Sequence, residues 1–267
     1  MSKASSRAAP ALIPAFDIVR ITEAAAVAAA KLRGRGDEAA ADEAAALAMY
    51  RELAQLPFAG TVVVGEGEEG EIPHLYIGET IGTGGAEVEL AVDPIEGSTL
   101  CAKALPNALA VIAIAEPGSF LKVPDIYMDK IAIGPGFEQG LVDLDASPKE
   151  NLERLAKAKG VKISEITACI LDRPRHGRLI EAVRKAGAAI RLIGDGDIAG
   201  VIHATEPQDT GIDIYMGVGG APEGILAAAA LCCIGGQMQG RFMATNEEQR
   251  ERAKAAGIED FERKYSI

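Results

Sequence analysis

The nine residues Ala91-Val92-Asp93-Pro94-Ile95-Glu96-Gly97-Ser98-Thr99 constrain this chain more than any other stretch. From Glu87 to Val92 acidic and apolar residues alternate, the pattern of a strand with one buried face. Pro94 has no N–H to give to a sheet ladder, so it is expected to end that strand in a turn. Gly97-Ser98-Thr99 then opens a helix whose first turns run from Leu100 to Leu105. Asp93 and Glu96 are thereby placed at the carboxyl end of a strand, facing a helix start. Carboxylate oxygens suit hard divalent cations, and bare amide groups at a helix start suit a phosphate. One short stretch could therefore hold both a metal and the phosphate it acts on. The same residues also make an ordinary strand-turn-helix corner with an acidic cap, because Asp-Pro turns are common.

With 267 residues the chain can bury a sizeable core in one large or two ordinary domains. It has no Trp and 30 Gly, so small-residue packing and tight turns should dominate over aromatic clusters. Twenty-seven basic against 39 acidic residues give a formal charge of −12, which argues against a nucleic-acid or anionic-membrane partner. An anionic substrate can still bind where cations or a few placed Arg residues reverse the local field. Cys101, Cys169, Cys232 and Cys233 have no CxxC spacing and are expected to be reduced and buried, as in a cytosolic protein. His74, His176 and His203 lack zinc-site spacing. Pro14 and Asp17 interrupt the first candidate for a signal sequence, and the apolar run Ile225 to Ile234 is far short of the ~20 residues of a membrane span. These features predict a soluble, cytoplasmic protein.

Read in order, the chain begins with a Ser-, Ala- and Pro-rich segment and an alanine-rich helix from Phe16 to Leu32. A second helix, N-capped by Asp37, runs to about Leu56 and carries Asp42 and Glu43 early, where the helix macrodipole alone explains acids. The strand Thr61 to Val64 enters Gly65-Glu66-Gly67-Glu68-Glu69-Gly70, which reads as a solvated charge run or as a backbone folded closely around a ligand. Leu75 to Ile77 suggests a short strand. Gly82-Thr83-Gly84-Gly85 leads into a strand rather than a helix, which excludes a dinucleotide loop. Ala108 to Ala115 is expected as a buried strand, Pro124 to Met128 as a loop, Lys130 to Ile133 as a strand and Glu150 to Lys159 as a surface helix capped by Gly160. A boundary near 160 to 166 divides residues 1–165 from 166–267.

The second half has an α/β rhythm: strands Thr167 to Leu171, Ala189 to Ile193 and Ile212 to Met216 alternate with helices Arg178 to Ala186 and Ile225 to Cys233. Each strand ends in a loop rich in Gly, Asp, Arg or Glu, and ligands gather at such ends. If Asp42, Glu66, Asp93, Glu96 and Glu223 met, they would repel one another, so a shared site implies cations. Two metals about 3.5–4 Å apart would fit in-line phosphoryl transfer. Arg173 and Arg175 would suit a second phosphate, and Asp195 and Asp197 offer acceptors for sugar hydroxyls. Periodicity does not establish that these points converge.

From about Ile18 to Arg241 the chain resembles the class II fructose-1,6-bisphosphatase family, within the lithium-sensitive phosphatase superfamily. The matching motifs, in order, are Gly34-Arg35-Gly36-Asp37, Val64-Gly65-Glu66-Gly67-Glu68, Leu75-Tyr76-Ile77-Gly78-Glu79, Ala91 to Gly97 and Pro106-Asn107-Ala108-Leu109-Ala110. Arg173-Pro174-Arg175-His176, Asp195-Gly196-Asp197 and Gly219-Gly220-Ala221-Pro222-Glu223-Gly224 follow. The resemblance implies an α/β (α+β) sandwich, the sugar-phosphatase fold with αβαβα layers. In it, residues 1–165 form a metal-binding α+β domain and 166–267 an α/β sugar-phosphate-binding domain.

The resemblance further implies hydrolysis of the 1-phosphate of fructose 1,6-bisphosphate. The same chemistry could extend to sedoheptulose 1,7-bisphosphate, or weaken to sugar-phosphate binding with little catalysis. One Mg²⁺ or Mn²⁺ would sit at Asp42 and Glu66 and another at Asp93, Glu96 and Glu223, with Ser98 and Glu66 catalytic. Glu96, Gly97 and Ser98 would touch the reacting phosphate; Tyr127, Arg173, Pro174, Arg175, Asp195, Gly196, Asp197 and Gly220 would hold the rest of the substrate. A homo-oligomer, dimer or tetramer, is also implied. Ser98 stands where the family usually has a water-activating threonine, and Arg173 where some members have Lys. Relatives usually continue for several dozen residues beyond the position of Ile267, so stability or assembly could differ here.

Overall fold

The computed structural model describes residues 15–267. In chain order its elements are α1 (Ala15–Ala30), α2 (Glu38–Leu53), β1 (Phe58–Val64), β2 (Thr80–Ile81), β3 (Ala86–Glu96), α3 (Ser98–Ala102), β4 (Leu109–Ala115), β5 (Tyr127–Ile133) and α4 (Pro148–Lys159). There follow β6 (Thr167–Leu171), α5 (Gly177–Ala186), β7 (Ala189–Ile193), α6 (Asp197–His203), α7 (Pro207–Thr210), β8 (Ile214–Gly220), α8 (Ala221–Ile234), β9 (Gln237–Met243), α9 (Glu247–Ala255) and β10 (Tyr265–Ser266). The strands make a four-stranded sheet, β2-β1-β3-β4, and a six-stranded sheet, β10-β9-β5-β8-β6-β7. Both sheets are mixed: β1 and β3 run parallel, as do β8, β6 and β7, and the other pairs are antiparallel.

Period-two burial stacks these sheets into layers. In β3, Leu90 and Val92 pack against Ile21, Ala45 and Met49 of α1 and α2, whereas Ala91 turns to the other face and meets the core around Ile225 and Leu226 of α8. In β5, Met128 and Ala132 join that same central core, while Ile131 and Ile133 face Leu152, Leu155 and Val183 of α4 and α5. Three cores thus separate five layers, α1/α2, sheet, α6/α8, sheet, α4/α5: the αβαβα sandwich. The middle helix α8 is apolar all round and rich in alanine, as a helix enclosed by two sheets must be. Among the described residues no helix is long and apolar enough to cross a membrane.

Several local expectations are corrected. Pro94 does not end its strand: β3 continues to Glu96, with the register against β4 shifting between Asp93 and Glu96. A bulge is one of the few places a sheet tolerates proline, and here it carries the ladder past the missing N–H. Leu75 to Ile77 is no strand; Leu75 has φ +63° and lies buried, its N–H donating to Glu79 Oε2 at 2.5 Å. β4 is an edge strand, half-buried along its length rather than fully buried. Tyr127 and Met128 begin β5 instead of lying in a loop, and β9 lay outside the sequence reading altogether.

Cys101 and Cys169 are buried, but Cys232 and Cys233 are exposed. The reason is geometric: Leu231 is the last buried residue of α8, whose final turn leaves the inter-sheet layer before Gly235 stops it in a left-handed conformation. Titration of the native protein with a membrane-impermeant thiol reagent should therefore label two cysteines and the unfolded protein four. A Cys232→Ser/Cys233→Ser variant should label none while native, and rapid labelling of that variant would contradict this packing.

Candidate active site

The β3 bulge sets the site. Beyond it Gly97 takes φ +87°, a left-handed conformation that suits glycine, and turns the chain directly into α3. Asp93, Glu96, Gly97 and Ser98 consequently line a pocket of about 460 Å³ at the ends of β3, β5, β6, β7 and β8. Tyr127 contributes from β5, Arg173 and Arg175 from the turn after β6, and Asp195 and Asp197 from the turn after β7. Gly220 and Glu223 close the ring at the junction of β8 and α8. A second cavity, about 230 Å³ between α1, β3 and β4, is lined mainly by Ala, Leu and Ile and includes none of the expected site residues.

Asp42 and Glu66 do not line this pocket, but their charges act on acids that do. Burial, reinforced by Glu38 and Asp195, pushes the Asp42 carboxyl up to about 6. Glu66 is exposed at its surface yet crowded by surrounding protein; the crowding, with the charges of Asp42 and Glu223, takes it to about 7. Burial raises Asp93 well above the carboxylate range, and Glu66, Glu96, Glu223 and Asp42 all add to the rise. Glu96 reaches about 8, again by burial first and Asp197 second, against the lowering effect of two backbone amides. The five acids from distant parts of the chain therefore feel one another's charge. Pro174 and Gly196 lie outside the wall: Pro174 starts a 3₁₀ turn, and Gly196 sits behind Glu96, leaving 3.4 Å between its Cβ position and Glu96 Oε2.

Glycines make room for several of the acids. A Cβ on Gly65 would lie 2.1 Å from the Leu75 carbonyl oxygen, the same oxygen that accepts the Glu66 N–H at 3.0 Å. A Cβ on Gly219 or Gly220 would lie 1.8 Å from Asp197 Oδ2 or Glu223 Oε2 respectively. Glu96 accepts the N–H groups of Ile198 and Ala199 at 2.9 and 3.4 Å, so it also caps α6. Across the pocket, Arg173 lies 3.7 Å from Asp195, and Arg175 sits over the Tyr127 ring at 5.0 Å.

The sequence reading missed Lys130. It is 1% exposed, and its Nζ donates to Asp197 Oδ2 at 2.5 Å and to the Gly220 carbonyl at 2.8 Å. A signal was present: alternation in β5 puts Lys130 on the inward face with Met128 and Ala132, where a lysine requires a carboxylate. Gln249 of α9, Asp125 and Gly219 also line the pocket and were missed.

Among the described residues no three acidic, His or Cys side chains close into a finished metal cage. Mg²⁺ does not need one, because it keeps several waters and binds through one or two carboxylates plus substrate phosphate. The acids raised by burial and by one another's charge, and the all-oxygen donor set, fit such a cation.

An α/β sandwich with clustered carboxylates and a guanidinium pair lining one pocket is built as an enzyme of phosphate esters. Residues 13–267 match the family model described as bacterial fructose-1,6-bisphosphatase, glpX-encoded, and the chain belongs to that family. It is 44% identical over 259 residues to fructose-1,6-bisphosphatase 1 class 2 of Escherichia coli strain K12, covering 92% of this chain and 76% of that protein. The fructose-1,6-bisphosphatase class 2 of Shigella flexneri is similar to the same extent.

The raised carboxyls make metal-free stability pH-dependent. Folding lifts their pKa values, so the folded protein binds more protons than the unfolded chain, and stability falls as pH rises from the ordinary 4.5 of a glutamate through about 7 for Glu66 and about 8 for Glu96. In EDTA the melting temperature should drop steadily between about pH 5 and about pH 8, and Mg²⁺ should reverse most of the drop at the upper end. A flat or rising profile in EDTA would show that the acids do not repel. Lys130→Met, which leaves Asp197 buried without its counter-ion, should lower stability to urea by about 3–5 kcal/mol at neutral pH. A loss under about 1 kcal/mol would mean that the pair is not needed.

Proposed function

We propose that this chain hydrolyses the 1-phosphate of fructose 1,6-bisphosphate to give fructose 6-phosphate and phosphate. Family membership supports the substrate, and the single structural observation that carries the reading is one pocket that brings Asp93, Glu96 and Glu223 together with Arg173 and Arg175. Asp42 and Glu66 would hold one Mg²⁺ or Mn²⁺, and Asp93, Glu96 and Glu223 another. Such cations would supply Lewis-acid stabilisation of the charge that builds on the phosphoryl oxygens. The reading also carries the family's oligomeric habit and a cytoplasmic setting.

In this arrangement Glu96, Gly97 and Ser98 hold the reacting phosphate against the end of β3. Ser98 Oγ and the Glu66 carboxylate orient water for attack, and Glu66 accepts its proton. Attack forms one P–O bond and breaks the bond to the C1 oxygen, which takes a proton and leaves as a hydroxyl. Arg173 and Arg175 bind the second phosphate away from the chemistry, Arg175 steadied by the Tyr127 ring. Asp195 and Asp197 accept from sugar hydroxyls, with Pro174, Gly196 and Gly220 shaping the backbone around them. The half that carries the first four acids thus supplies the cation site, and residues beyond 165 supply the sugar grip and Glu223.

Phosphate release from fructose 1,6-bisphosphate should require Mg²⁺ or Mn²⁺ and stop on addition of EDTA; a folded, metal-loaded protein without turnover would defeat the proposal. Ser98→Ala and Glu66→Gln should each lower turnover at least ~10²-fold with an unchanged circular dichroism spectrum. Wild-type rates in either variant would remove that side chain from the mechanism.

A further inference from the structure

His176 closes the Arg173-Pro174-Arg175-His176 motif and has no part in the chemistry above. It is 2% exposed, and both ring nitrogens are engaged. Nε2 lies 2.8 Å from the Val218 amide nitrogen. A backbone N–H can only donate, so Nε2 is the acceptor and the proton sits on Nδ1, which donates to the Leu171 carbonyl at 2.7 Å. Burial holds the ring below the ordinary histidine pKa, which keeps it in this neutral form.

The carbonyl of the same Val218 accepts from Arg175 Nε at 3.0 Å and Nη2 at 2.8 Å. Consecutive side chains therefore grip the N–H and the C=O of one strand residue. The grip is open to them because β6 pairs with β8 only through Ala168–Ile214 and Cys169–Tyr215, after which the 3₁₀ turn Pro174–His176 takes its place beside β8. Gly217, with φ +142°, lets the ring come close, since a Cβ there would lie 3.0 Å from Nε2.

We propose that His176 is a positioning residue for substrate: by holding the Val218 N–H it fixes the carbonyl that aims Arg175 across the pocket, and so sets affinity without touching the sugar phosphate. The proposal rests on the reading that Arg175 meets the second phosphate. His176→Gln puts an amide oxygen near the Nε2 position and keeps the acceptor for Val218; His176→Asn reaches only the Nδ1 position and keeps the Leu171 bond.

The Gln variant should hold KM for fructose 1,6-bisphosphate within ~3-fold of wild type. The Asn variant should raise it ~10-fold or more, with kcat within ~3-fold. Because His176 acts through Arg175, Arg175→Ala/His176→Asn should be no worse in KM than Arg175→Ala alone. Equal KM values for Gln and Asn, a fall confined to kcat, or additive losses in the double variant would overturn the proposal. Hydrogen exchange at the Val218 amide, slow in wild type and Gln and fast in Asn, decides the grip even where no bisphosphate is turned over, a result that would sink only the proposed activity. An exchange rate unchanged in Asn counts against the grip itself.

Discussion

Like charges brought together are the constraint on which this fold depends. Five carboxylates from α2, the loop after β1, the end of β3 and the start of α8 raise one another's pKa values within a partly buried region. An isolated polypeptide would keep them apart in water. Here three features offset the repulsion: Lys130 beneath Asp197, the α6 amides donated to Glu96, and neutralisation, by protons in the metal-free state or by cations when they bind. The first two are permanent and act on Asp197 and Glu96. Among the described residues no cationic side chain offsets the charge of Asp42 or Glu66, so those two are left open to exchange protons for metal.

The sandwich makes such crowding affordable by spreading its stabilisation over three separate cores. No acid has to be held by its own local contacts. Asp93 and Glu96 ride on β3, which is buried on both faces; Glu223 rides on α8, enclosed between the sheets; Asp197 starts α6 in the same layer. Glu96 contributes twice, once as a charge in the pocket and once as the cap of α6 that ties the β3 bulge to the middle layer. Its position is thus fixed by the architecture as much as by its own bonds.

Much of this was legible in the chain and some was not, for identifiable reasons. The helix signals were strong because they are local: the Asp37 cap of α2 and the Gly160 stop of α4 appear where capping chemistry puts them. Pro94 misled because a proline in a strand pattern reads as an end, and only pairing with β4 reveals that a bulge can absorb it. Leu75-Tyr76-Ile77 misled because its strand propensity yields to a tertiary demand, a carbonyl turned to receive the Glu66 N–H. The exposed Cys232 and Cys233 misled because an apolar helix does not announce where it leaves its layer. In the site, the acids and arginines could be named from their loops, whereas alternation in β5 marks Lys130 as inward but its partner lies 67 residues away.

The acids and the guanidinium groups of the pocket also differ in how they are held, and that difference has a chemical sense. Asp197 and Glu223 lie against bare glycine backbone, where a Cβ on Gly219 or Gly220 would lie 1.8 Å from their carboxylates, while Asp93 and Glu96 ride on the doubly buried β3. The guanidinium end is tied by directional bonds: Arg175 to Val218 O and over Tyr127, His176 to Val218 N–H and Leu171 O. A bisphosphate has one phosphate that must be recognised and one that must react. Recognition gains from a rigid, prepaid geometry, because orienting groups that need not move on binding lose less entropy. Reaction centred on phosphorus gains from charge that can be supplied and shared by cations as the bond to the leaving oxygen breaks. On the proposed reading, a cationic end tied by directional bonds and an anionic end neutralised by cations would give the substrate a single direction in the pocket, with the phosphate to be lost placed against the β3 bulge.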